Sequence, residues 1–197
     1  MLRRHARAGF TLIELLIVVA LLAILLALAM PSFDAALKRY RIGMAANQIA
    51  GALQFARTEA IRTRNNVTIT QVDTPVDVGC TSSGTTDWHC GVDVTALDDN
   101  AKTTVLKTIS TSNLHAVNVQ MSNTDSKDVI TFSPIGFAAD CAACNGVAAS
   151  DSFIYVWPFS SGNNVNTPGI AVSTVCVTRA GKVRVVPQYV TDSANCA

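Results

Sequence analysis

Glu14 is the sole ionisable residue of an apolar run that extends from Phe10 to Met30. A carboxylate near the middle of a membrane-length helix costs a few kcal/mol, so the chemistry expected of Glu14 is pairing with a cation. A second group is itself cationic: Arg179, Lys182 and Arg184 crowd into Arg179-Ala180-Gly181-Lys182-Val183-Arg184 near the C-terminus. Alternation along a strand sends Lys182 and Arg184 to one face and Val183 and Val185 to the other. Two cations on one face, joined by Arg179 across a turn, can neutralise phosphates of a polyanion in a sequence-independent, salt-sensitive way. The third group is the six cysteines, Cys80, Cys90, Cys141, Cys144, Cys176 and Cys196, all C-terminal to the apolar run. An even number so placed reads as a disulfide framework in an oxidising compartment.

Sequence neighbourhood pairs Cys80 with Cys90, Cys141 with Cys144 and Cys176 with Cys196, among the many connectivities that six cysteines allow. The last pair closes a loop of about 21 residues, for roughly 3 kcal/mol in the chain-entropy account. Cys141-Ala142-Ala143-Cys144 has redox spacing, but no strand precedes it and no helix follows, as a thioredoxin-like site requires. It reads as a staple. His89 and His115 bear no regular spacing to the cysteines, so no metal is expected. No nucleophile motif, phosphate loop or acid-base pair stands out. A non-enzyme without a cofactor is the expectation.

These residues must be held by a small number of elements. The chain of 197 residues with net charge +1 is long enough for one globular domain and an anchor. Phe10 to Met30, at about 1.5 Å per residue, spans roughly 30 Å as a helix, the thickness of a bilayer's hydrocarbon. Arg3, Arg4 and Arg7 before it face Lys38, Arg39 and Arg41 after it, so positive charge does not orient it and the cysteines do, placing the C-terminal part outside the cytoplasm. From residue 34 to about 62, Ile42, Ala45, Ala46, Ile49, Leu53, Ala56 and Ala60 recur at helical spacing. Pro31 is expected to kink or locally melt the helix between the two stretches.

Beyond Asn65-Asn66 come β-branched runs, Val67-Thr70, Val92-Leu97, Thr104-Ile109, Ala116-Met121, Val129-Phe132, Phe153-Trp157, Ala171-Val177 and Val183-Pro187. No helical pattern separates them, so they pair antiparallel. The class is α+β: a long N-terminal helix, apolar in its first half and amphipathic in its second, packed on an antiparallel sheet. The two last runs make a hairpin with its turn near Gly181.

Gly9-Phe10-Thr11-Leu12-Ile13-Glu14-Leu15-Leu16, after a short basic leader, resembles the processing site of type IV pilins and type II secretion pseudopilins. The resemblance implies the pilin fold. It implies a leader, residues 1–9, that a prepilin peptidase removes by cutting between Gly9 and Phe10, with N-methylation of Phe10. It implies a membrane and filament-core helix at 10–33, an amphipathic helix at 34–64 and an extracytoplasmic, disulfide-bonded β-rich domain at 65–197. Glu14 would neutralise the Phe10 amine of a neighbouring subunit during assembly. Ala52-Leu53-Gln54-Phe55-Ala56-Arg57-Thr58-Glu59-Ala60-Ile61, Trp88 with Gly91, Ile130-Thr131-Phe132-Ser133-Pro134-Ile135-Gly136 and Cys176-Val177-Thr178-Arg179-Ala180-Gly181-Lys182-Val183-Arg184 resemble the branch of minor pilins and pseudopilins of FimT, FimU and GspH type.

In DNA-uptake members of that branch a Gly-Arg-x-Arg motif is associated with DNA binding. Gly181-Lys182-Val183-Arg184 matches it with Lys in place of the first Arg, which keeps the charge and loses the planar fork. The implied function is a minor type IV pilin that initiates or caps the filament and binds DNA for uptake through Arg179, Lys182 and Arg184. The implied partners are other pilins, the prepilin peptidase, an inner-membrane assembly platform, the membrane and DNA. The implied location is the bacterial inner membrane, single-pass with a periplasmic domain, and then an extracellular pilus or periplasmic pseudopilus. One alternative is a type II secretion pseudopilin that moves exoproteins. Another is a secreted soluble protein cleaved after Ala29, since Ala27-Leu28-Ala29 has signal-peptidase spacing.

Overall fold

The computed structural model describes residues 11–72, 88, 90–97, 103–110, 117–122, 129–139, 152–158 and 170–190. The chain divides into two compact units, Met1–Leu37 and Lys38–Ala197. Helix α1 runs from Leu12 to Thr63. Its backbone is helical through residue 31, so of the two effects expected at Pro31, a kink or local melting, the melting does not occur and the two stretches form one long helix. A proline removes one i to i−4 bond, and here the turns on either side carry the helix through.

In the first unit every described side chain of the helix from Leu12 to Ala27 is exposed, including Leu12 at 81% and Leu26 at 65%. Among the described residues no helix is long and apolar enough to cross a membrane.

In the second unit the strands are β1 (Val67–Gln71), β2 (Gly91–Leu97), β3 (Thr103–Ser110), β4 (Val117–Ser122), β5 (Val129–Phe132), β6 (Ala138–Ala139), β7 (Ser152–Pro158), β8 (Ser173–Val177) and β9 (Val183–Val186). They form two antiparallel sheets, with orders β3-β2-β1-β5-β6 and β4-β7-β8-β9. The one sheet expected from sequence is thus two. Strand runs alone do not say which strands pair, and β4 leaves its sequence neighbours to lie beside β7.

The alanine-rich stripe explains how one helix serves both sheets. Ala45, Ala46, Ala56 and Ala60 are fully buried and let backbones approach closely, while Ile42, Ile49 and Leu53 fill the space between them. Val67, Ile69, Ile130 and Phe132 of the first sheet share one core cluster with Val119, Ile154, Val156 and Val175 of the second. Buried Trp88 bridges the sheets: its amide donates to Val119 O of β4 at 2.9 Å, and the Gly91 amide at the start of β2 donates to Trp88 O at 3.2 Å. Gly91 has φ +130, and a Cβ there would lie 2.7 Å from Ile109 O, so a larger residue would push β2 and β3 apart.

Candidate interaction site at the basic hairpin

β8 and β9 pair with Cys176 opposite Arg184 and Val177 opposite Val183. Their turn is closed by the Thr178 amide donating to Lys182 O at 3.0 Å and the Gly181 amide donating to Thr178 O at 2.7 Å. The Lys182 amide also donates to Thr178 Oγ1 at 3.2 Å. Gly181 adopts φ +71, the left-handed conformation that glycine takes without a Cβ clash. Val183 and Val185 pack against the core cluster, while Arg179, Lys182 and Arg184 are exposed. The three cations are thus exposed along one hairpin, Arg179 and Lys182 at its turn and Arg184 in β9.

The end of α1 meets this tip. Arg57 Nε donates to Gly136 O at 3.1 Å, and Arg57 Nη2 donates to Ala180 O at 3.2 Å. Gly136 lies in a turn between β5 and β6, closed by the Gly136 amide donating to Ser133 O at 2.8 Å and the Ser133 amide donating to Phe137 O at 2.9 Å. The Ala138 amide donates to Arg179 O at 3.0 Å, so the two turns are also bonded to each other. Three sequence stretches singled out separately, around Arg57, Gly136 and Gly181, therefore converge. Sequence reading passed over Arg57 itself, because no spacing rule marks a cation whose partners are distant backbone carbonyls. One turn further along, Arg62 donates to Glu59, with Nε to Oε2 at 2.8 Å. That bond holds the Glu59 carboxyl below the usual carboxylate range.

At the other end of α1, the Glu14 amide donates to Thr11 Oγ1 at 3.3 Å. Thr11 returns two weak bonds to Glu14 Oε2, from its hydroxyl at 3.3 Å and its amide at 3.4 Å. This is a capping box: the first helical residue is Leu12, and the Thr-x-x-Glu spacing satisfies amides that the first turn leaves without partners. That spacing was present in the sequence and would have identified Thr11. Gly9 and Phe10, the expected processing site, lie outside the described residues.

Cys90 and Cys176 are each engaged in a disulfide, and not with one another. Cys80, Cys141, Cys144 and Cys196, the other members of the expected pairs, lie outside the described residues, as do His89 and His115. Among the described residues no cluster of His, Cys, Asp and Glu could hold a metal ion. The chain after β9 folds back over the outer face of the second sheet. Tyr155 OH donates to Val190 O at 3.0 Å, Thr174 Oγ1 donates to Gln188 O at 2.6 Å, and Val190 packs on Cys176.

The family described as type II transport protein GspH matches residues 45–181, a stretch that contains the core face of α1 from Ala45 onward and strands β1 to β8, and that ends at Gly181, before Lys182, Arg184 and β9. The prokaryotic N-terminal methylation motif matches residues 4–30. A fimbrial protein of Pseudomonas aeruginosa is 39% identical over 80 residues, which are 40% of this chain and 51% of that protein. The chain thus spans about half the length of this curated relative. Among solved structures, the type IV minor pilin FimU of Pseudomonas aeruginosa superposes with a TM-score of 0.52 at 17% identity, over 76% of this chain and 91% of that one. The minor pseudopilin EpsH of the Vibrio cholerae type 2 secretion system gives a TM-score of 0.49 at 9% identity, over 75% of this chain and 97% of that one. The likeness to FimU is one of fold: a helix against antiparallel sheets.

Proposed function

From the premise that the chain belongs to the GspH family, whose members are structural subunits of type IV pilus or type II secretion filaments and not enzymes, we propose that it is a minor type IV pilin that initiates or caps the filament and captures DNA at its basic hairpin. The observation that carries the subunit role is the exposed apolar half of α1 behind an N-terminal methylation motif. Each Leu or Ile left in water forgoes roughly 1.5–3 kcal/mol of burial, so this surface calls for a bilayer before assembly and for neighbouring helices afterwards. Processing between Gly9 and Phe10 by a prepilin peptidase, methylation of Phe10 and extraction by an inner-membrane platform complete the reading. Glu14, whose carboxylate keeps acceptor sites beyond its bonds to Thr11, then takes the Phe10 amine of an adjacent subunit as its cation. A cut after Ala29 would fall within a continuous helix, which argues against a soluble secreted product. Val190 against Cys176 supports the pairing of Cys176 with Cys196, since a short tail then suffices to close the bridge.

DNA capture rests on Arg179, Lys182 and Arg184, exposed along one hairpin. Three cations give a weak isolated site, so affinity comes from several copies or from other surface cations. The test is a salt-series titration of duplex DNA against the mature chain, beside a Lys182→Ala, Arg184→Ala double variant checked for folding. The expected result is a loss of most binding with a shallower salt dependence, each phosphate contact being worth a slope of about 0.9 in log K against log salt. Equal binding by both proteins, or by neither, would overturn the DNA reading and leave the subunit role standing.

A second reading is supported by the description of the matching family as a type II transport protein: a pseudopilin that moves exoproteins. A deletion strain separates the two. Loss of surface pili with normal exoprotein secretion supports the pilin, and the reverse supports the pseudopilin.

A further inference from the structure

Arg57 stands on α1 between the buried residues Ala56 and Ala60, half-buried itself, and its guanidinium bonds to two carbonyls that belong to different sheets. Gly136 O, at 3.1 Å from Nε, lies in the turn between β5 and β6 of the first sheet. Ala180 O, at 3.2 Å from Nη2, lies in the turn between β8 and β9 of the second. The space around these bonds admits no side chain. A Cβ on Gly181 would lie 2.0 Å from Gly136 O and 2.9 Å from Arg57 Nε, and one on Gly136 would lie 3.2 Å from Arg57 Nε. Both glycines have positive φ, +82 and +71. Each turn thus places a glycine at the point of closest approach, Gly136 in one and Gly181 in the other, and offers a carbonyl to a single planar cation, whose fork reaches two acceptors where a lysine would reach them only as a point charge.

We infer that Arg57 is the positioning residue of the basic hairpin: it fixes the turn that carries Arg179, Lys182 and Arg184 to α1 and to the first sheet, and strengthens polyanion binding without touching the polyanion. The inference rests on the DNA-capture reading for its functional part and on geometry alone for its structural part. With Nε and Nη2 committed to carbonyls, Arg57 acts by removing freedom from the tip before binding, which lowers the ordering cost of association. A phosphate contact and a positioning contact differ in one measurable respect. Loss of the first lowers the salt slope by about 0.9, while loss of the second lowers affinity by the same factor at every salt concentration.

The experiment uses the mature full-length chain in detergent, with Arg57→Gln, Arg57→Lys and Lys182→Ala variants. Amide hydrogen exchange is read at Gly181 and Lys182 in the turn and at Val175 in mid-strand, and duplex DNA affinity is read across a salt series. For Arg57→Gln the expected result is exchange at Gly181 faster by about tenfold or more with Val175 unchanged, which corresponds to about 1.4 kcal/mol of local opening. DNA affinity should fall roughly five- to tenfold with an unaltered salt slope, Arg57→Lys lying between it and the native chain. Lys182→Ala should instead lower the slope. Gly181 exchange within twofold of native, or equal acceleration at Gly181 and Val175, would overturn the positioning role. A salt slope lowered as in Lys182→Ala would make Arg57 a phosphate contact and overturn it as well. If the native chain binds no DNA, the capture reading falls and takes the functional part with it, while the exchange data still decide whether Arg57 fixes the turn.

Discussion

Single residues in this protein divide into those whose role lies within the subunit and those that face outward from it. Thr11 and Glu14 cap α1 reciprocally, so Glu14, which the apolar run alone marks as a charge in search of a cation, is already a helix-terminal acceptor in the isolated chain. The two roles are compatible, because a carboxylate has acceptor sites left after one cap. Gly136 and Gly181 face inward to each other, and the difference between them makes a prediction. At Gly181 a Cβ meets the backbone carbonyl of Gly136 at 2.0 Å, whereas at Gly136 the nearest atom is the flexible end of Ile61 at 2.9 Å. Gly181→Ala should therefore destabilise by about 2–3 kcal/mol or more and Gly136→Ala by clearly less, both carrying the strain of positive φ. Chemical denaturation of the two variants checks the order, and equal costs would show that the carbonyl contact is not what selects glycine. The Thr-x-x-Glu spacing of the cap was readable in the sequence, whereas of the contact between Gly136 and Gly181 only the presence of two turn glycines was. Arg57 bonds across 79 and 123 residues of sequence, and contacts of that range have no local signature.

Elements were more readable than their arrangement. The helical spacing of Ile42, Ala45, Ala46, Ile49, Leu53, Ala56 and Ala60 reads directly as the buried face of α1, because one stripe of small and aliphatic residues has only one side on which to pack. Runs of β-branched residues locate eight of the strands to within a residue or two, and β6, Ala138–Ala139, escapes because two alanines carry no β pattern. The split into two sheets escaped too, being decided by how β4 and β7 meet over the helix and not by any one run. The end of α1 offers a test at this scale. The helix stops at Thr63, and Arg64 takes φ 56, the left-handed position after a helix where glycine is usual and other residues are strained by about 1 kcal/mol. Arg64 is exposed, so Arg64→Gly should raise stability by about 0.5–1 kcal/mol and raise the melting temperature of the chain. A lowered melting temperature would mean that the Arg64 side chain contributes more than its backbone costs.

The molecule as a whole joins a well-covered core to an uncovered helix. In the second unit the sheets and the amphipathic half of α1 satisfy one another around one shared cluster. In the first, Leu12, Leu16, Val19 and Leu26 stand in the open, and exposure of that extent marks a surface made for lipid or for other chains. The chain belongs to the GspH family, and the subunit role proposed on that ground would put other pilins against this surface. The net charge of +1 gives the molecule no strong overall field, so the DNA capture proposed for it would have to rest on a local cluster of cations. The claim beneath all of this is that the apolar helix is retained as the joint of a filament. Intact mass and N-terminal sequencing of the chain recovered from sheared filaments of the producing bacterium test that claim most directly. The account predicts a chain that co-purifies with filaments and begins at N-methylated Phe10; a soluble chain beginning at Met30 and absent from the filaments would contradict it.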